Sequence, residues 1–178
     1  DSGSQDNDIA VDISTMPAEE HGVVTAPSKE EAMWAMIKGI TQILGFKDLH
    51  EEFHGDLCAF LEHCDAHGFS SLTEAARSHF KSSIATTARA IRWMILDPNV
   101  TIGLGSATLK DVRPFGKDIR GLLEKCEPLK LLFPDRFWLE PKKAAEKWTE
   151  EEFTIKREGH FREATVTLFG LEDDLPTG

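Results

Sequence analysis

The chain has 178 residues, 29% of them charged, and a formal net charge of −11; that is about one domain, long enough to bury a sizeable core. Residues 1–31 hold eight acids against the single base Lys29, so −7 of the charge lies there, and the balance argues against broad nonspecific nucleic-acid binding. No apolar run approaches the roughly 18 residues of a membrane span, no signal-peptide pattern opens the chain, and Cys58, Cys64 and Cys126 are too few for a disulfide framework, which points to a reducing compartment.

Residues 1–27 mix Asp, Ser, Gly, Pro and isolated aliphatics without a period, and read as a disordered acidic leader. Ser28 and Glu31 then form a capping box. Behind it Met33, Met36, Ile37, Ile40 and Leu44 recur at helical spacing up to Gly45. A second helix is expected over about Leu49–His63, burying Phe53, Leu57, Phe60 and Leu61. Its His54, Cys58, His63, Cys64 and His67 suggest zinc. At about 100° per residue, however, His54 and Cys58 share a face that His63 and His67 oppose, so one helix does not converge them on one ion.

Phe69–Ala76 is expected as a strand, although Thr73 and Glu74 interrupt its apolar run. It leads to Arg77-Ser78-His79-Phe80-Lys81-Ser82-Ser83, which carries the tail of a phosphate-binding loop: a lysine, then two hydroxyls, opening a helix that runs to about Leu96. Backbone N–H groups and the positive end of the helix attract phosphate. Lys81 would bring a point charge to the β/γ-phosphates of ATP and Ser82 a hydroxyl to Mg²⁺. Ala75 and Phe80 stand where the strict pattern has glycines. Ile84, Ala88, Ile91 and Ile95 form the inner stripe of the helix behind the loop.

Asp97-Pro98-Asn99 closes that helix with a turn. Val100–Gly105 is a short strand ending at Ser106-Ala107-Thr108, and a helix over about Leu109–Cys126 buries Val112, Phe115, Ile119, Leu122 and Leu123. Strand, loop, helix, strand and helix make the rhythm of a parallel α/β sheet with flanking helices, whose ligands sit at the carboxyl ends of the strands. Phe153–Arg157 and Ala164–Gly170 alternate as a hairpin. Glu172-Asp173-Asp174 reads as a solvated loop, because no aliphatic run precedes it.

In this order the pieces resemble the large terminase subunit of tailed bacteriophages, at the front of its ATPase domain. Arg77–Ser83 looks like that family's Arg-Gly-His-Phe-Lys-Ser-Thr loop. Asp97-Pro98-Asn99, Ser106-Ala107-Thr108, Leu132-Phe133-Pro134-Asp135, Lys147-Trp148-Thr149 and Arg162–Val166 complete the likeness, over residues 45–178. Ser78 replaces the family's glycine.

The resemblance implies that residues 28–178 are the N-terminal part of a RecA-like P-loop ATPase domain, truncated before the Walker B strand and inactive in hydrolysis alone. It implies a viral DNA-packaging motor acting in the host cytoplasm. Its partners would be double-stranded DNA, a small terminase subunit and a portal, with a homo-oligomeric ring around the DNA and no membrane. Arg77 would be catalytic, stabilising γ-phosphate charge, within a nucleotide site of Arg77, Ser78, His79, Phe80, Lys81, Ser82 and Ser83. His54 would lie near adenine-side contacts. Two alternatives stay open: another P-loop DNA translocase or helicase, and a degenerate P-loop module without catalysis.

Overall fold

The computed structural model describes residues 44–45, 49, 51–74 and 81–172. The acidic leader, residues 28–43 of the helix opened by Ser28, residues 75–80 of the loop region and the Asp173-Asp174 pair lie outside the described residues; Leu44 is helical and Gly45, the expected stop, has a φ of 78°.

Helix α1, Glu51–His67, runs one turn beyond its expected end and stops at Gly68, whose φ of 66° suits the left-handed cap. Phe69 N–H donates to the Cys64 carbonyl and Gly68 N–H to that of Asp65, so the last carbonyls are satisfied by a Schellman-type closure. Its buried face also differs from expectation. Phe60 is 45% exposed, whereas His54, Cys58, Leu61, Glu62 and Cys64 are buried. The cause lies in the facing helix, whose arginines draw Glu62 and Asp65 inward.

The strand expected over Phe69–Ala76 is corrected: its described part, residues 69–74, is irregular. Phe69 stacks on His67 with ring centroids 5.5 Å apart, and the Ser71 hydroxyl accepts a bond from Arg89. These contacts hold the segment against the helices.

The described part of the helix behind the loop starts at Lys81-Ser82, passes through a π-helical stretch, Ser83–Ala88, and continues as α2, Arg89–Leu96. Arg89 N–H reaches the Ile84 carbonyl, five residues back. A π turn holds more residues than an α turn, so the faces beyond it are rotated. The expected single stripe is thereby split. Ile84 and Ala88 pack with Cys58 and Leu61 of α1, while Ala90, Ile91 and Met94 join the main core. Met94, not Ile95, is the fully buried residue near the end.

Strand β1, Ile102–Ser106, lies parallel to β3, Val166–Gly170, and β3 pairs antiparallel with the short β2, Glu152–Phe153. The order is β1-β3-β2. The described sheet is therefore mixed, and the parallel partner of β1 is the strand expected only in a hairpin. Part of that hairpin holds, in register Phe153↔Val166. Residues 154–157 leave the ladder, and there the Thr165 hydroxyl accepts from Ile155 N–H at 3.2 Å and Arg157 Nε at 3.1 Å.

Helix α3, Leu109–Lys125, covers one sheet face. Thr108 caps it, donating to the Asp111 carboxylate at 2.7 Å and accepting from Asp111 N–H. Val112, Ile119 and Leu123 pack with Ile102, Val166 and Leu168. Gly116 permits this close approach, since a Cβ there would meet Leu168 Cδ1 at 2.5 Å. On the other face the Phe169 ring, 38% exposed, lies across Gly103 and Gly105. Short helices α4, Glu127–Leu132, and α5, Pro141–Ala144, complete the described elements.

Candidate nucleotide-binding site

Of the expected site residues, Lys81, Ser82 and Ser83 are described; Arg77, Ser78, His79 and Phe80 lie outside the described residues. Lys81 and Ser82 are helical, and they are the first described residues of the helix. Lys81 is half-buried, and Ser82 is exposed with helical φ −69° and ψ −33°, its hydroxyl making no capping bond. His54, by contrast, is only 3% exposed. Among the described residues no group of three or more His, Cys, Asp or Glu is placed to hold a metal ion.

A phosphate-binding helix must be held rigidly, because its N-terminus positions the ligand. Asp65 of α1 supplies the anchor. Arg89 donates to it through Nε at 3.1 Å and Nη2 at 2.5 Å, and Trp93 Nε1 at 2.9 Å. Arg89 also stacks over the Trp93 ring, 4.7 Å from its centroid. Arg92 pairs with Glu62 one turn earlier on α1. Burial pushes the Glu62 carboxyl up, only partly opposed by Arg92. The same burial, with Glu62 beside it, pushes the Cys58 thiol up to about 12. Arg89 and Arg92 at i, i+3 face Glu62 and Asp65 at i, i+3. That pairing of spacings is a sequence signal which the search for apolar periodicity passes over.

The turns after the two parallel strands are joined: Leu171 N–H donates to the Ser106 carbonyl at 3.0 Å, and Glu172 N–H to that of Ala107 at 2.9 Å. Ser106-Ala107-Thr108 thus sits at a carboxyl edge, where open α/β sheets place ligands. Within β1 and β3 no residue is acidic.

The other motifs hold the opposite end together. The Asp97 carboxylate accepts from Asn99 N–H at 2.8 Å, and the Asn99 side-chain oxygen accepts from Glu158 and Gly159 N–H. Arg157 donates to the Val100 carbonyl at 2.9 Å. Arg136, following Leu132–Asp135, donates to the Ile95 carbonyl at the end of α2. Thr149 accepts from Glu152 N–H through its hydroxyl and closes the turn into β2.

A cleft of about 730 Å³ opens between Ser83 and Thr87 and the outer part of α3, where Lys117, Arg120 and Lys125 face it beside Lys142 and Trp148. Arg120 donates to the Thr149 carbonyl at 2.5 Å. Burial alone would raise the Glu124 carboxyl, but bonds from Trp148 Nε1 and Lys142 outweigh it and hold the group below its ordinary value.

No protein-family model, curated protein or solved structure matches this chain. The reading of the site therefore stands on its own residues. Among the described residues, no helix is long and apolar enough to cross a membrane.

Proposed function

We propose that residues 28–178 form the N-terminal part of a RecA-like P-loop ATPase domain of the terminase large-subunit kind, which binds ATP with Mg²⁺ at Arg77–Ser83. One observation carries the reading. Lys81 and Ser82 lie on a helix fixed to α1 through Asp65 and to the main core through Ile91 and Met94. In this reading Lys81 neutralises the β/γ-phosphates, Ser82 holds the metal, and Arg77 stabilises charge spread over the transferring phosphoryl group. The full-length motor, a ring in the host cytoplasm, moves double-stranded DNA with its small subunit and portal. ATP is its fuel.

Isothermal titration of the purified chain with MgATP tests the site. Lys81→Ala should remove most of the binding, because the phosphates lose the loop's ammonium, and Ser82→Ala should mainly reduce the dependence on Mg²⁺. Unchanged affinity in Lys81→Ala places the nucleotide elsewhere. Absence of binding by the wild-type chain favours the degenerate, non-catalytic module.

A further inference from the structure

We infer that the outer face of α3 is a contact surface for the phosphate backbone of duplex DNA. Lys110, Arg113, Lys117 and Arg120 follow one another at spacings of three, four and three residues, which puts them on one helical face. All four line a groove of about 280 Å³ together with Pro114 and one acid, Glu150, and Glu151 pairs with Arg113 beside it. Lys117 and Arg120 also line the larger cleft with Lys125 and Lys142, beside Asp118 and Glu124, of which Glu124 pairs with Lys142. The acidic balance that argues against broad nonspecific nucleic-acid binding lies mostly in residues 1–31, with −4 left elsewhere, so this row is a local exception to it.

The geometry favours an extended polyanion over a small one. From Lys110 to Arg120 the helix rises about 15 Å, so the cations lie in a row and do not converge on one point. A DNA strand carries one phosphate per roughly 3.4 Å of axis, and several fall along such a row. Lys110 and Lys117 are exposed, and the Arg113 side chain is 48% exposed while pairing with Glu151 at 2.7 Å. Arg120 is held from behind by the Thr149 carbonyl, so one guanidinium of the row is fixed before any ligand arrives. Nothing in this arrangement reaches base edges, so the contact reads backbone charge, not sequence.

The choice of duplex DNA as the occupant rests on the motor reading above, whereas the basic row stands without it. The test therefore uses no nucleotide. Fluorescence anisotropy with a short labelled DNA duplex should show binding by the intact chain that weakens steeply with salt. The double substitution Lys110→Gln, Lys117→Gln should cost at least about tenfold in affinity at low salt and make the salt slope shallower by about 2. Lys110→Arg with Lys117→Arg keeps the charge and should keep the binding. Lys143→Gln with Arg162→Gln removes the same charge off the row and should change affinity little. The proposal fails if the wild-type chain does not bind the duplex, if both glutamine pairs weaken it equally, or if polyglutamate competes as well as unlabelled duplex. Loss of ATP binding in Lys81→Ala with DNA binding intact leaves it standing.

Discussion

Asp65 is the residue whose loss should most disturb the helix behind the loop. It accepts bonds from Arg89 Nε, Arg89 Nη2 and Trp93 Nε1, with Arg92 Nη1 at 3.8 Å. The Arg89 and Asp65 side chains are only 12% and 15% exposed, so little water stands ready to replace the carboxylate. A hydrogen bond to a charged group contributes about 1.5–3 kcal/mol, and removing one partner of a buried pair costs about 3–5 kcal/mol. The residual exposure discounts these figures, and Asp65→Ala should destabilise the chain by about 2–4 kcal/mol. At about 2–4 °C per kcal/mol for a domain of this size, the melting temperature should fall by roughly 5–15 °C. Urea unfolding followed by circular dichroism and tryptophan fluorescence measures the loss. The double variant with Arg89→Ala isolates the pair, and its cost should be clearly less than the sum of the single costs. A cost within about 0.5 kcal/mol of zero for Asp65→Ala, the range of an ordinary surface change, would refute the anchor.

Gly116→Ala should gain about 0.5–1 kcal/mol of helix propensity. It should lose more, because the new Cβ meets Leu168 Cδ1 at 2.5 Å and overpacking costs about 1–3 kcal/mol. Net stabilisation in thermal melts would contradict the close packing, and Leu168→Val should relieve part of the loss. Cys58, with its thiol pushed up to about 12 and no exposure, should react with a disulfide reagent only on unfolding, well after half-buried Cys126; early labelling of Cys58 would contradict that burial. Glu62 has a raised folded-state pKa, so the native state binds its proton more tightly than the unfolded chain does. Its contribution is most favourable below the unfolded value and is lost as pH rises through the folded one. Glu62→Gln should remove that decline from a stability–pH profile, and an unchanged profile would count against it.

What could be read from the chain divides by the range of the interactions involved. Helix α3 follows from a clear 3.6-residue period bounded by Thr108 and Cys126, and β1 from an uncharged run after Asp97-Pro98-Asn99. Their determinants are local, and the structure agrees within a residue or two. The buried face of α1 is not local. Phe60 outranks Cys58 and His54 in hydrophobicity, yet it is turned outward, because Glu62 and Asp65 must meet Arg92 and Arg89. The pairing of β1 with β3 is equally beyond short-range reading: the partners stand 64 positions apart, and only the register Ile102↔Val166 reveals it. At the candidate site, Lys81 and Ser82 are helical and lead into the π stretch, while residues 75–80 lie outside the described residues. The basic row on α3 goes unnoticed in a search for apolar stripes, because it lies beside the buried stripe of an amphipathic helix.

The π-helical stretch connects these observations. An uninterrupted α-helix from Lys81 to Leu96 would put Ile84, Ala88, Ile91 and Ile95 on one stripe, able to face α1 or the sheet but not both. Rotation through Ser83–Ala88 gives the helix two buried faces in succession. Its first turns pack on α1 with Cys58 and Leu61, and its later turns pack against the sheet core with Ile102 and Val166. Arg89, the first residue after the π stretch, then points back to Asp65 and closes the join. A helix gripped from two sides cannot tilt without breaking one packing or the other. The stretch that carries Lys81 and Ser82 is therefore held in orientation from behind, as the proposed phosphate site requires.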